Sequence, residues 1–454
     1  QQQLREELAD RLGKIGNSGK YALEDYLESL MEVKPENSLA ALIRDFLYLP
    51  AVLLILIQPA AGLILLFGLI LLNVTLYFKK KAVLKPYLVC FGYILRMIEG
   101  AEEVCRLQHS GIEEETGRMK KIIADLSRFR RFSGIAISMQ NPTGSSNPLD
   151  LLFDYLRMLF HIDLIKFNQM LRECHAKKEE IISLRNMIGT LDAVQSIACY
   201  RASLKQYCIP ELRGKSEKEH EKENDSKKEN KPKIEAEELV HPLLNEPVGN
   251  SIIADRSILL TGSNASGKST FLKAVAINAV FAQSLVTCTA LSWKSEYYRV
   301  ISSMSLRDNL TSGESYYIVE IKSLKRIMDA AQETDKPDLL CFIDEVLRGT
   351  NTVERIAASC QILKELSHEK ALCFAATHDL ELSYLLSDWY QNFHFEEEIE
   401  NQNIFFSYQL RTGRSVSRNA IRLLGMLGYE EKVIKDAEEM ASAFLENGEW
   451  KIIT

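Results

Sequence analysis

The sequence predicts two architectures in one chain: an α/β domain with a mainly parallel sheet, preceded by an all-α region that carries a hydrophobic transmembrane hairpin. Three observations lead there. Beyond about residue 237, short β-rich apolar runs alternate with helical patterns, the signature of a sheet covered by helices. From Leu84 to about Pro210 apolar residues recur at three- and four-residue steps, as in Leu149, Leu152, Phe153, Leu156, Leu159 and Phe160. Between Phe46 and Phe78, 33 positions hold no charged residue.

Taken in order, residues 1–45 read as short helices, with Leu4, Leu8 and Leu12 at helical spacing. The chain opens on Gln1 rather than Met, as a fragment of a longer protein would. Residues 46–78 are read by length. One straight helix of that size would be about 50 Å long, beyond the ~30 Å hydrocarbon core of a bilayer. A hairpin turning near Gln58-Pro59 has a second arm, Ala60–Phe78, of full length and a shorter first arm. Arg44 precedes the run and Lys79, Lys80 and Lys81 follow it, which places both ends on the cytoplasmic side. The expected location is the cell membrane, with the C-terminal domain cytoplasmic. A buried core hairpin of a soluble protein and a single kinked span are the two rival readings.

Residues 79–213 form the helical domain, interrupted by the loop-like Asn141–Pro148. Residues 214–236 are a charged linker: positions 214–235 alone hold seven lysines and seven acidic residues, with too little apolar surface to order themselves. Residues 237–454 are the α/β domain. No internal repeat is visible.

The net charge of −7 does not mark a nucleic-acid binder. Charge is unevenly spread, however, and residues 79–213 carry 21 Lys and Arg against 15 Asp and Glu. A basic middle suits a phosphate backbone, anionic lipid, or simply a solvated helical surface. Hydrophobic residues make up 46%, which excludes a polytopic membrane protein. The nine cysteines are scattered and odd in number, with no CxxC pair. They suit a reducing compartment and argue against a disulfide framework or a zinc site. Gln1–Asp10 is polar and charged, unlike a signal peptide.

The sharpest motif is Gly262-Ser263-Asn264-Ala265-Ser266-Gly267-Lys268-Ser269, a full match to GxxxxGK[ST] that runs on into Thr270. Its surroundings fit: Ser257–Leu260 reads as a buried strand and Thr270–Ala282 as a helix. Such a loop wraps phosphate oxygens with backbone N–H groups at the positive end of a helix dipole. Lys268 would reach the β- and γ-phosphates of ATP, and the Ser269 hydroxyl would coordinate Mg²⁺. A second motif, Leu339–Glu345, is an apolar strand that ends in two acids. Asp344 would hold Mg²⁺ and Glu345 would act as general base on the attacking water. The third, Thr377-His378-Asp379, follows the apolar strand Ala371–Ala376, where His378 would meet the γ-phosphate or the water.

In order and spacing, SNASGKSTFLKAVA, AQSLVTCTA, SGESYYIVEI, FIDEVLRGTNTVERIAAS and AATHDLEL resemble the ATPase of the MutS family. Leu191–Ala198 resembles the end of that family's lever region, and His241–Leu244 with Val248–Asn250 the lead-in to its first strand. The resemblance covers roughly residues 180–454. It implies a homodimer in which Ser315 reaches the nucleotide of the partner subunit, with Arg348–Thr352 along the interface. The tail from Ser417 through Ala437 resembles the helical segment that closes the family's ATPase domain and helps it dimerise. The family's mismatch-reading domain has no counterpart in the sequence, and the only Phe-x-Glu-like stretch, Phe393–Glu396, lies inside the ATPase domain. Leu84–Glu180 is too short for the family's clamp arms, and the hydrophobic hairpin is foreign to its mismatch-repair members.

The sequence therefore points to a membrane-tethered ATPase that works as a dimer and controls binding of a partner, DNA being the first expectation, in repair or recombination. A nucleotide-gated structural tether and a transporter-type ATPase are the alternatives. Against the transporter stand the missing LSGGQ-type signature and the few short spans.

Overall fold

The computed structural model describes residues 2–16, 23–35, 43, 45–107, 109, 111–131, 155–156, 158–214, 233–263, 266–304, 316–333, 335–347, 350–368, 370–400, 403–415, 421, 424–425, 428–448 and 450. It divides into two compact units, Gln1–Tyr200 and Arg201–Thr454.

The first unit is helical among the described residues. Its helices are α1 (Gln2–Gly13), α2 (Leu23–Glu32), α3 (Tyr48–Ile57), α4 (Pro59–Cys105), α5 (Glu113–Asp125), α6 (Ser127–Arg131), α7 (Ile162–Ala176) and most of α8 (Lys178–Ser203). The core gathers around Phe91 of α4, whose ring lies 5.8 Å from Phe129 of α6 and 5.1 Å from Phe167 of α7. Ile94, Met97, Met170 and Leu171 complete it, each with at most 1% of its surface exposed.

Two helices meet at Gln58, which is extended (φ −138°, ψ 90°), and Pro59 opens the second at a position where its missing N–H costs nothing. The chain reverses there. Asn73 of α4 donates from Nδ2 to the Tyr48 hydroxyl at 2.7 Å, and a Cβ on Gly62 would run into Ile55. Glycine thus lets the two helices touch. The described first arm, α3, has ten residues and a length of about 15 Å, shorter than a crossing requires. The second arm does not end at residue 78: α4 runs unbroken for 47 residues, its early turns apolar and exposed and its later ones inside the helical core.

The second unit holds two sheets. The larger orders its strands β10-β9-β4-β8-β7-β6, from β4 (Ile258–Thr261), β6 (Arg299–Ser303), β7 (Leu339–Asp344), β8 (Ala371–Ala376), β9 (Gln391–Glu400) and β10 (Asn403–Thr412). Every neighbouring pair is parallel except the β9–β10 hairpin. Strands β7 and β8 are apolar and buried along almost their whole length, as parallel strands covered on both faces must be. The helices that follow are α9 (Lys268–Ser284), α10 (Tyr316–Ala331), α11 (Thr352–His368), α12 (Leu380–Leu385) and α13 (Glu431–Asn447).

The smaller sheet, β1-β5-β2-β3, was not expected from the sequence; it joins β1 (Glu211–Arg213), β2 (Ile234–Leu239), β3 (Asn250–Ala254) and β5 (Ser292–Glu296). Two expected boundaries shift because of it. Residues 234–236, expected in the charged linker, pair with β3 and β5, and Ile234 and Ala236 are buried. Residues 211–213, expected to be helical, pair in parallel with β5. In β2 the acidic side chains alternate with or flank the buried ones, so a composition count hides the strand.

Candidate functional site

Strand register brings the three motifs together. Leu260 of β4 pairs with Ala376 of β8, and Asp344 of β7 pairs with the same Ala376. The loops that leave these three ends therefore open side by side at the carboxyl edge of the parallel sheet, where α/β folds bind ligands. Two backbone bonds fix the alignment: Thr377 N–H donates to Leu260 O, and Glu345 N–H donates to Ala376 O, both at 2.9 Å.

The loop after β4 is held by its own side chains. Gly262 takes φ +139°, and a Cβ there would lie 2.7 Å from the Phe395 carbonyl oxygen. Gly267 takes φ +109° as the N-cap of α9. Ser266 donates from Oγ to the Ser263 carbonyl at 2.8 Å. Lys268, 4% exposed, donates from Nζ to the Gly262 carbonyl at 2.8 Å and the Ser263 carbonyl at 2.6 Å. Its cation is thus folded onto the loop whose N–H groups would receive phosphate. Ser269 and Thr270 follow in the first turn of α9. Asn264 and Ala265 lie outside the described residues.

A cavity of about 490 Å³ adjoins this loop. Ser263 and Gly267–Phe271 form one side, and the segment from His241 to Asn250 faces them with Phe395 and Tyr408. Asn250 ties the far wall together: its Oδ1 accepts from Leu410 N–H at 2.6 Å and its Nδ2 donates to Tyr408 O at 3.0 Å. Burial first, and Lys273 second, hold the His241 imidazole below its ordinary pKa. Its Nδ1 accepts from Leu243 N–H at 3.2 Å, which leaves Nε2 as the donor of the neutral ring.

The acids stand at the end of β7. Asp344 closes the strand, and its Oδ1 is buried with no hydrogen-bond partner among the described residues. Glu345 then turns into the left-handed region at φ +60°, as does Leu347 at φ +57°. Such backbone costs about 1–3 kcal/mol per residue and persists where the surroundings over-determine it. Here Glu320, 2% exposed, accepts from Leu347 N–H at 2.6 Å. The turn aims Glu345 at His378, whose Nε2 lies 2.8 Å from Glu345 Oε1.

Beside this pair sits Arg355 of α11, which sequence reasoning missed. Its Nε and Nη2 donate to the two carboxylate oxygens of Asp379 at 2.9 and 2.6 Å. Asp379, next to His378, holds the guanidinium above its ordinary pKa. Arg355, Asp379, Thr377, His378 and Glu345 line a cavity of about 200 Å³. Its only signal in the sequence was a spacing of 24 residues between arginine and aspartate on different elements. Ser315, Arg348 and Gly349 lie outside the described residues; Thr350, Asn351 and Thr352 lead into α11.

The fit to a Mg²⁺–nucleotide can be tested on these groups. The orphaned Asp344 oxygen is a hard anionic donor at the sheet edge, on which Ser269 also lies through the adjoining loop. Among the described residues no cluster of three or more His, Cys, Asp or Glu could cage a metal. That set suits Mg²⁺, which takes one or two protein oxygens and fills its shell with phosphate and water.

Fold and loop together define a P-loop nucleotide-binding domain of the α/β class. Residues 258–445 match the family model of MutS domain V. The DNA mismatch repair protein MutS of Prochlorococcus marinus (strain MIT 9312) is 28% identical over 289 residues, 60% of this chain and 30% of that protein. The DNA mismatch repair protein MutS of Natronomonas pharaonis is 31% identical over 195 residues, 42% of this chain and 22% of that protein. MutS protein homolog 4 of Homo sapiens is 26% identical over 306 residues, 63% of this chain and 30% of that protein. The chain thus spans under a third of the length of these relatives.

Proposed function

We propose that the protein is a membrane-tethered, MutS-like ATPase that binds and hydrolyses Mg²⁺–ATP as a homodimer and thereby controls its hold on DNA. The observation that carries the catalytic half is the Glu345–His378 pair, 2.8 Å apart, at the ends of the next two strands over from the P-loop. Lys268 leaves the Gly262 and Ser263 carbonyls to meet the β- and γ-phosphates. Asp344 and Ser269 would hold the Mg²⁺, which would neutralise phosphate charge. Glu345 takes a proton from the water that attacks the γ-phosphorus, and His378 holds the carboxylate and the water in line. The products are ADP and phosphate. The nucleoside lies in the cavity between the P-loop and His241–Asn250, with the neutral His241 and the Tyr408 ring against it.

Ser315 of a second subunit covers the outer face of the γ-phosphate, so closure of the dimer follows ATP and opening follows hydrolysis. DNA as the partner rests on the repair proteins among the relatives and on the basic balance of residues 79–213. The tether rests on the apolar start of α4, of which only 17% is buried. The test is ATP turnover by the full chain in detergent, with and without duplex DNA. Stimulation supports the reading. Turnover indifferent to DNA, with no DNA binding at any nucleotide state, removes DNA from it and leaves a nucleotide-gated tether.

A further inference from the structure

The paired helices α3 and α4 carry a polar line at their foot. Asn73, fully buried, donates to the Tyr48 hydroxyl at 2.7 Å and toward Asp45 Oδ1 at 3.5 Å. Asp45 lies 3.4 Å from Nδ1 of His161, itself 1% exposed. One turn further along α4, Tyr77 donates to Asp163 Oδ2 at 3.0 Å. This line marks where the hairpin leaves the helical core. Beyond it, over residues 49–72, the side chains change character. Only Ala51 and Gly62 are buried, and these two small residues let the arms touch. Leu56, Ile64 and Phe67 are 81%, 75% and 70% exposed.

The reach of this projection is fixed by helix rise. From Tyr48 to Ile57 is about 14 Å, and from Asn73 back to Pro59 about 21 Å. A bilayer's hydrocarbon core is ~30 Å thick, so one leaflet offers about 15 Å. The arms are bound to each other at the foot, so neither can slide deeper alone. Pushing the pair further would carry Asp45 and His161 into hydrocarbon, where ionisable groups are strongly disfavoured. Lys79, Lys80 and Lys81 follow on α4 below the polar line, and Lys81 lies over the Tyr77 ring at 5.4 Å. They sit at the level where anionic headgroups would meet them.

We propose that the hairpin enters a single leaflet of an anionic bilayer and stops near its midplane, with Gln58 at the tip, rather than crossing. This rests on the membrane reading above and corrects its depth: the protein is monotopic, and no part of the hairpin reaches the far side.

The full chain tests it in vesicles of phosphatidylcholine and phosphatidylglycerol, with the accessible Cys199, Cys208 and Cys360 replaced by serine. Single Leu56→Cys, Gln58→Cys and Lys79→Cys variants carry an environment-sensitive fluorophore. Flotation with vesicles tests the membrane reading itself, and a chain that stays behind overturns both. Given flotation, probes at 56 and 58 should be quenched several-fold more by a spin label deep on the acyl chain than by one near the headgroup. The probe at 79 should show the reverse order. Unlabelled Gln58→Cys should resist an impermeant maleimide sealed inside the vesicles. Modification of Gln58→Cys from the lumen would establish a crossing and overturn the proposal alone. Unquenched probes at 56 and 58 would overturn it too, by surface adsorption or, where Leu56→Cys chains cross-link, by a second copy covering the hairpin.

Discussion

Lys268, Glu345 and His378 each occupy a place that a short stretch of neighbouring sequence dictates, and their chemistry is testable one at a time. Lys268→Ala removes the cation that now bonds two loop carbonyls and would bond phosphate. A hydrogen bond to a charged group is worth about 1.5–3 kcal/mol, so nucleotide affinity should fall by roughly tenfold or more in a titration with a fluorescent ATP analogue. Glu345→Gln keeps the shape and the backbone turn but cannot accept a proton. It should bind ATP normally and hydrolyse it roughly 10²-fold more slowly, as measured by phosphate release, and normal turnover would remove Glu345 from the role of base. Arg355 is different in kind. It reaches the site through Asp379, so Arg355→Ala should lower kcat with little change in KM, and Arg355→Lys should recover only part because it lacks the planar fork. A change confined to KM would instead place Arg355 on the nucleotide. The first three residues were legible because strand, turn and reactive group are contiguous. Arg355 was not, because its meaning lies in a partner on another loop.

Elements were legible where hydrophobic pattern and burial agree. Leu339–Asp344 and Ala371–Ala376 are apolar runs ended by turn residues, and both are strands with the expected boundaries to within a residue. The smaller sheet was hidden because its strands are short and its β2 reads IEAEEL, a half-charged string whose buried positions are Ile234, Ala236 and Leu239. Pairing on both sides overrides that composition. The continuity of α4 past residue 78 was hidden for another reason: lysines mark the edge of an environment, not the end of a helix. At the joint between β4 and α9, backbone geometry makes a prediction of its own. Gly267 adopts φ +109°, where a side chain is strained, and an added Cβ would sit 3.3 Å from the Tyr408 ring. Gly267→Ala should leave the sheet intact by circular dichroism yet weaken nucleotide binding by roughly tenfold, since a strain of about 1–2 kcal/mol falls on the loop alone. An unchanged affinity would mean that the loop rearranges before it binds.

At the scale of the whole molecule, the proposed tether and the P-loop lie in different compact units, and experiments can separate them. Replacing residues 49–72, the stretch beyond the buried Tyr48–Asn73 contact, by a short glycine–serine turn should release the chain from the membrane fraction while it still binds ATP, because the P-loop and its supporting strands all lie in the second unit. Loss of nucleotide binding with aggregation would instead make the hairpin part of a core. The proposed dimer is the feature least legible in residues themselves: Ser315 was singled out only by resemblance to the MutS family, and it lies outside the described residues. Its role makes a definite demand nonetheless. Lys268, Asp344, Glu345 and His378 come from one subunit, and a trans Ser315 would complete the shell only when two subunits close on ATP. Ligand that binds the closed dimer must stabilise it by mass action. Glu345→Gln with ATP should therefore dimerise more tightly than the same variant with ADP in sedimentation velocity. Mixed subunits isolate the serine. A Lys268→Ala chain paired with a Ser315→Ala chain leaves one binding pocket, in the Ser315→Ala subunit, and that pocket still receives an intact Ser315 from its partner, so it should hydrolyse ATP. A chain carrying both changes, paired with an unaltered chain, also leaves one binding pocket, but the serine that should reach it is gone. With each heterodimer isolated through different affinity tags on its two chains, so that homodimers of unaltered chains do not contribute, phosphate release from the second pair should fall far below that from the first. Equal rates would show that Ser315 acts, if at all, within its own subunit, and that closure is driven by contacts other than this one.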